Sequence, residues 1–338
     1  MFVAIFVSII MGIVPMVVYA TFLWWLDRWE KEPLHLLAAA FIWGFIPSAI
    51  GALILQIILD IPTSALFYYG AENEFLYNIA SAGIIAPITE EGVKGVAVLL
   101  IFIFFYREFD SMLDGILYGS LAGFGFAAIE NVLYFISGGA ENPLGLGCLI
   151  FMRAFLFGLN HAFFTSLTGL GFAAARYQKN LLLKILLPLA GLACAIIAHG
   201  THNSLVSLGE LGPEAGLLGF LLALAADWLG TLGVLAVAIV SLYHEAGWIK
   251  KYLAEEVSLG TLTAKQAAIT ASFGRRIVLN FTSLGGGPGQ WWSTRRFYQQ
   301  CAELAYKKHQ LTRMGNEGGN QAIIEKLRSE IKGLSAMV

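Results

Sequence analysis

Long apolar runs separated by short polar stretches set the pattern of this 338-residue chain. Seven runs, near 2–26, 34–59, 76–106, 112–136, 148–175, 181–207 and 216–243, approach or exceed the roughly 20 residues that a helix needs to cross a bilayer. The first starts at Met1 as a signal sequence would. It lacks a basic leading region, however, and runs straight into Trp24, Trp25 and the charged segment DRWEKEP at 27–33, so it reads as a retained helix. Beyond residue 243 the pattern shortens. Helical pieces such as 296–309 and 321–333, where Ile323, Ile324, Leu327 and Ile331 recur at helical spacing, alternate with GGGPG at 285–289 and GNEGGN at 315–320. The pattern predicts an all-α polytopic membrane protein, with a seven-helix domain over 1–243 and an α-helical tail over 244–338.

Composition agrees. The chain is 57% hydrophobic and 13% charged, about half the charge of an average soluble domain, which excludes a water-soluble globular enzyme and a disordered chain. A net charge of −2 gives no electrostatic case for nucleic acid. Cys148, Cys194 and Cys301 lie far apart without a CxxC pair, and read as inert small apolar residues rather than a disulfide framework.

The basic residues set an orientation. Arg28, Lys31, Arg107, Arg176, Lys179, Lys184 and thirteen more in the tail fall on one side of the seven spans. The opposite loops, around 60–75, 137–147 and 208–215, hold only acidic charges: Asp60, Glu72, Glu74, Glu141, Glu210 and Glu214. The positive-inside rule then places the N-terminus outside and the tail in the cytoplasm, as for a plasma-membrane protein. The tail's basic residues suit a solvated surface better than an anionic lipid one.

Ionisable residues inside spans cost about 2.5–3.5 kcal/mol each at the helix centre and need partners. Glu90, Glu91 and Lys94 follow the helix-breaking Pro87 in APITEEGVKG, and Gly83, Ala86, Pro87, Glu90, Lys94 and Ala97 share one face. In the next span Gly115, Gly119, Gly123 and Ala127 stand four apart, a surface for close packing, with Glu130 in the same sector and Asn131 beside it. The fifth span carries Arg153 near its outer end and His161 two turns deeper, with Gly158, Thr165 and Thr168 on the face of His161. In AHGTHN of the sixth, His199, His202 and Asn203 stand at i, i+3 and i+4. Asp227 and Trp228 in the seventh read as a packing pair. Counted from the outer ends, Glu130, His199, His202 and Asn203 lie in the outer third and Glu90, Glu91 and His161 nearer the middle, so one cavity can gather them.

A Glu90–Lys94 pair can neutralise itself, but that leaves Glu91 alone. Carboxylates, imidazoles and an amide within a membrane suit peptide hydrolysis, in which a carboxylate activates water and His or Asn donors hold the oxyanion. HExxH, GxSxG and paired-aspartate signatures are absent from the chain. A proton- or cation-coupled transporter also buries such residues, yet an internal repeat is missing. A non-catalytic receptor or scaffold is the other alternative.

EEGVK, FAAIEN, the mid-span His161 and AHGTHN, with DRWEKEP before them, resemble the PrsW family of intramembrane proteases over about residues 15–210. That family is a distant relative of the CAAX prenyl proteases, whose EExxxR and FxxxH motifs are here Glu90-Glu91-xx-Lys94 and Phe126-xxx-Glu130. The resemblance implies a protease cutting a single-pass membrane protein, such as an anti-sigma factor, in the outer half of the bilayer. Glu90 and Glu91 are then the motif glutamates, with Glu90 favoured to activate water. Glu130 and His161 would position water or bind a metal, and His199 and Asn203 would hold the oxyanion, with His199 alternatively a ligand. The charges of Glu90, Glu91 and Glu130 exceed those of Lys94 and Arg153 by one if Arg153 reaches the cavity, and by two if it snorkels to the interface. Either a divalent ion such as zinc, on His161, Glu130 and His199 or a motif glutamate, or a protonated glutamate would balance the site.

Overall fold

The computed structural model describes residues 2–70, 73–139, 142–335 and 338; Glu72 and Glu141 lie outside the described residues. They form helices joined by short turns: α1 (Phe2–Leu26), α2 (Leu34–Tyr69), α3 (74–104), α4 (Met112–Gly139), α5 (Pro143–Arg176), α6 (Leu181–Ser207) and α7 (Pro213–Ser258). Four shorter ones follow, α8 (Ala264–Thr270), α9 (Phe273–Thr282), α10 (Pro288–Met314) and α11 (Asn320–Ser335). Among the described residues six helices, α1, α2 and α4 to α7, are long and apolar enough to cross a membrane. The protein is thus an all-α integral membrane protein. The expected third span is α3, which has the length but carries Glu90, Glu91 and Lys94 and stands outside that set. α1 and α6 end where the apolar runs end, whereas α2 and α7 continue well past them, because backbone hydrogen bonding does not stop where hydrophobicity does.

The chain divides into two compact units, residues 1–24 with 33–238, and residues 25–32 with 239–338. In the first, α4 is the central helix, buried along most of its length. Its glycines make that possible. A Cβ on Gly115, Gly119 or Gly123 would stand 2.3, 2.5 or 2.2 Å from the carbonyl oxygens of Gly169, Thr165 and His161 on α5, so the two backbones touch. The stripe seen in the sequence therefore faces α5 and sets the depth of His161. On its other side, Gly125 and α2's Gly44 allow an equally close approach.

Prolines and wide turns bend the other helices around α4. Wide π-type turns occupy 44–48, which contains Pro47, and 81–85, just before Pro87. Each absorbs the hydrogen bond that a proline removes. A further wide turn at 151–156 ends in a break at 157–159, after which α5 resumes at Asn160. The break frees carbonyls that side chains cover: Tyr19 Oη donates to Ala154 O (3.1 Å) and Trp228 Nε1 to Leu156 O (3.2 Å).

The second unit has its own core, with Ile249, Leu253, Phe297, Cys301, Leu304 and Ile331 fully enclosed. Burial pushes the Cys301 thiol up to about 12, which makes it the unreactive cysteine expected. The DRWEKEP segment belongs here. Trp29 Nε1 donates to Leu242 O (3.1 Å), and the Arg28 guanidinium lies between the rings of Trp25 (3.3 Å) and Phe273 (3.9 Å).

Candidate active site

Five of the six expected site residues converge in the first unit. Pro87 and the wide turn before it aim the face of α3 that bears Glu90 and Lys94 inward. Glu91, one position on, is fully enclosed, as is Lys94. Both of its carboxylate oxygens are engaged: Oε1 takes Lys94 Nζ and lies 2.9 Å from His199 Nδ1, while Oε2 accepts from Thr165 Oγ1 (2.8 Å). Three of about four lone-pair directions are thus occupied by protein groups, and the carboxylate holds those neighbours in place.

Glu90 is different. Gln56 Nε2 on α2 donates to its Oε1 (3.1 Å), but Oε2 is buried without a hydrogen-bond partner and faces His199 Nε2 at 3.9 Å. His199 is wedged by its ring stack on Phe164 (4.9 Å, 14°) and by the perpendicular ring of His161 (5.1 Å). His161 Nε2 meets Glu130 Oε2 at 2.8 Å, and Lys94 Nζ lies 3.3 Å from its Nδ1. Arg153 reaches the site rather than the interface, its Nη2 on Glu130 Oε2 (2.6 Å) and its Nε on Asn131 Oδ1 (3.1 Å). Lys94 thus answers Glu91, Arg153 answers Glu130, and the surplus negative charge falls on Glu90.

The described residues whose ligand atoms lie within 4.8 Å of one another are Glu90, His161 and His199. Glu130, expected among the ligands, is engaged by Arg153 and His161 and is not in this group. One carboxylate and two imidazoles form an acceptable donor set for zinc. The buried, partnerless Oε2 of Glu90 marks the place where a cation fits. With a metal bound, Glu91 on His199 and Glu130 on His161 would be the carboxylates that orient the imidazoles.

Glu90, Glu130, His161 and His199 line a cavity of about 990 Å³ whose walls also include Asn160, His202 and Asn203, with apolar Leu53, Val206 and Phe220. Asn203 is on the wall but donates to Ala82 O in α3's wide turn (2.8 Å), tying α6 to that bend. His202 turns away from the cluster. Its Nδ1 lies 2.6 Å from Asp227 Oδ2, which also accepts from Asn160 Nδ2 (2.8 Å), so the expected packing residue of α7 is the centre of a polar triad. Sequence reading missed Gln56 and Asn160. Gln56 left one signal, a lone amide inside the apolar run AIGALILQIIL.

Comparison with known proteins places this geometry. The family model described as "PrsW family intramembrane metalloprotease" matches residues 32–240. Protease PrsW of Geobacillus kaustophilus is 29% identical over 167 residues, covering 49% of this chain and 65% of that protein. Protease PrsW of Oceanobacillus iheyensis is 30% identical over 57% of this chain and 79% of its own. That of Bacillus subtilis is 27% identical over 52% and 72%. No solved structure matches the chain.

Proposed function

The chain belongs to the PrsW family of intramembrane proteases, and from that premise we propose that it hydrolyses a single-pass membrane protein at the cavity bounded by Glu90, His161 and His199. The observation that carries this reading is Glu90 Oε2, the buried carboxylate oxygen of the cluster that lacks a partner. An oxygen so placed accepts the proton of an attacking water and returns it to the leaving amine. Gln56 fixes the carboxylate by holding Oε1, which leaves Oε2 turned to the reacting side. Glu91 serves as a positioning residue, since it orients His199 and anchors Lys94. Glu130, clamped by Arg153, does the same for His161. Asn203 lines the wall where an oxyanion would form, with one amide hydrogen committed to Ala82 O and the second available.

Where Oε2 instead takes a cation, Glu90, His161 and His199 would hold a divalent ion such as zinc, which when bound would polarise the scissile carbonyl and acidify a water in place of the Glu90 base. Purified protein is then expected to carry about one equivalent of a transition metal by elemental analysis. His199→Ala, retaining its fold by circular dichroism, should carry far less. Active wild-type protein free of metal and indifferent to strong chelators would overturn the metal assignment and leave the Glu90 mechanism standing.

The charge pattern supports an N-terminus outside and a cytoplasmic tail, which sets the cut in the outer half of the bilayer. An anti-sigma factor, anchored by one span, is the kind of substrate this arrangement suits. The test is quantitative proteomics of single-pass membrane proteins in cells producing either the wild-type or the Glu90→Gln protein. At least one such protein should accumulate uncleaved in the variant and appear as a shortened, membrane-retained fragment with the wild type. Identical fragment patterns in the two would refute the protease reading. The transporter and scaffold readings lack a supporting observation of this kind.

A further inference from the structure

The second unit lies outside the family match except for residues 32, 239 and 240, and one stretch of it carries charge of a single sign. From residue 257 to residue 302 the chain has no Asp or Glu, while Lys265, Arg275, Arg276, Arg295 and Arg296 fall in that stretch. The helix α9 lies within it. Its Gly274, Val278 and Phe281, at i, i+4 and i+7, form one stripe that the unit does not cover: Val278 is 61% exposed and Phe281 70%. The next turns add Leu284 at 52% and Trp292 at 63%. Four large apolar side chains exposed so fully within fifteen residues of one another are more than the scattered single exposures ordinary for a solvated surface. The inner side of the helix is pinned: Arg276 Nη1 donates to Arg28 O (3.2 Å), and the Phe273 ring stands edge-on to Trp25 (6.4 Å).

The contact with Trp25 gives the height of the patch. Trp25 lies in the last turn of α1, beside Trp24, where a spanning helix leaves the hydrocarbon and aromatic rings mark the headgroup level. A helix whose first residue touches that ring begins at the membrane surface. Exposed Arg275 and Arg295 flank the apolar stripe, the arrangement of a helix that lies in the interface and is drawn to anionic lipid. We propose that α9 and the turn into α10 are an interfacial anchor, with Val278, Phe281, Leu284 and Trp292 inserted among the acyl chains and Arg275 and Arg295 on anionic headgroups next to the end of α1. The anchor fixes the second unit to the bilayer independently of the cavity chemistry.

The test asks what covers Phe281. p-Benzoylphenylalanine is introduced at Phe281 in the full-length protein, which is reconstituted in nanodiscs of phosphatidylcholine alone or mixed with phosphatidylglycerol, then irradiated. Intact mass and peptide mapping should find lipid adducts on the peptide containing residue 281. Their yield should be several-fold higher with phosphatidylglycerol and should fall with added salt or in Arg275→Glu/Arg295→Glu. The same probe at Trp292 provides a second reading should the first variant fail to fold. Covalent dimers in place of lipid adducts would show that a second copy covers the patch and overturn the proposal. Irradiated protein with neither product, or lipid adducts indifferent to lipid charge and to both arginines, would overturn it as well.

Discussion

Glu90→Gln is expected to lower cleavage by about 10²–10⁴-fold, the usual contribution of a positioned acid–base group, with the folded protein as stable in detergent as the wild type. The amide keeps the shape of a side chain whose Oε1 is held by Gln56 and whose Oε2 is bonded to nothing. Glu91→Gln should behave in the opposite sense, although the two residues are adjacent and chemically identical. Lys94 is fully enclosed and its ammonium pairs with Glu91, so neutralising the carboxylate strands a buried cation. Breaking a buried pair in this way costs about 3–5 kcal/mol. The measurement is thermal unfolding of both variants in detergent beside cleavage per folded molecule. Equal stability of the two variants would show that Glu91 does not carry the structural load assigned to it. Loss of stability in Glu90→Gln would move that residue from chemistry to structure.

The second large effect concerns the contact between α4 and α5. A Cβ on Gly169 would stand 1.8 Å from the carbonyl oxygen of Gly115, and one on Gly115 would stand 2.3 Å from that of Gly169. Backbone cannot swing aside as a long side chain does, so Gly169→Val must part the helices. Overpacking of this kind costs about 1–3 kcal/mol and occasionally more. The expected result is a large fall in thermal midpoint, together with lost activity, because the same contact line sets the height of His161. Gly233→Ala on α7, where nothing lies within 4 Å of the new Cβ, is the control and should leave the midpoint nearly unchanged. Equal effects of the two substitutions would mean that the α4–α5 contact is not tight.

Much of this arrangement was legible in the sequence because bilayer physics constrains it heavily. Apolar run length set the helices, and the cost of buried charge singled out Glu90, Glu91, Lys94 and Glu130 before any contact was known. Spacing by four put Gly115, Gly119 and Gly123 on one face. What the sequence could not show was who pairs with whom. Arg153 had two destinations, and the geometry sends it to Glu130. That pairing leaves Glu130 outside the cluster of ligand atoms and puts Glu90, one of the two motif glutamates, inside it, a choice between neighbours that no spacing rule encodes. Asp227 and His202 are 25 residues apart on different helices, so their contact is a property of packing alone. Gln56 was overlooked because one uncharged amide barely alters the hydropathy of its span.

The partners of α3 also carry a consequence for biosynthesis. A helix with Glu90, Glu91 and Lys94 in its apolar stretch is poorly suited to leaving the translocation channel alone. Here Lys94 and Glu91 neutralise each other within α3 itself, and Gln56, which meets Glu90, belongs to a helix made earlier. The charged span can therefore enter lipid as it emerges from the ribosome, with its worst charges already matched. His161 and His199 arrive only with the fifth and sixth helices. Until α5 and α6 have both been threaded, the cluster of Glu90, His161 and His199 is incomplete in a half-made chain.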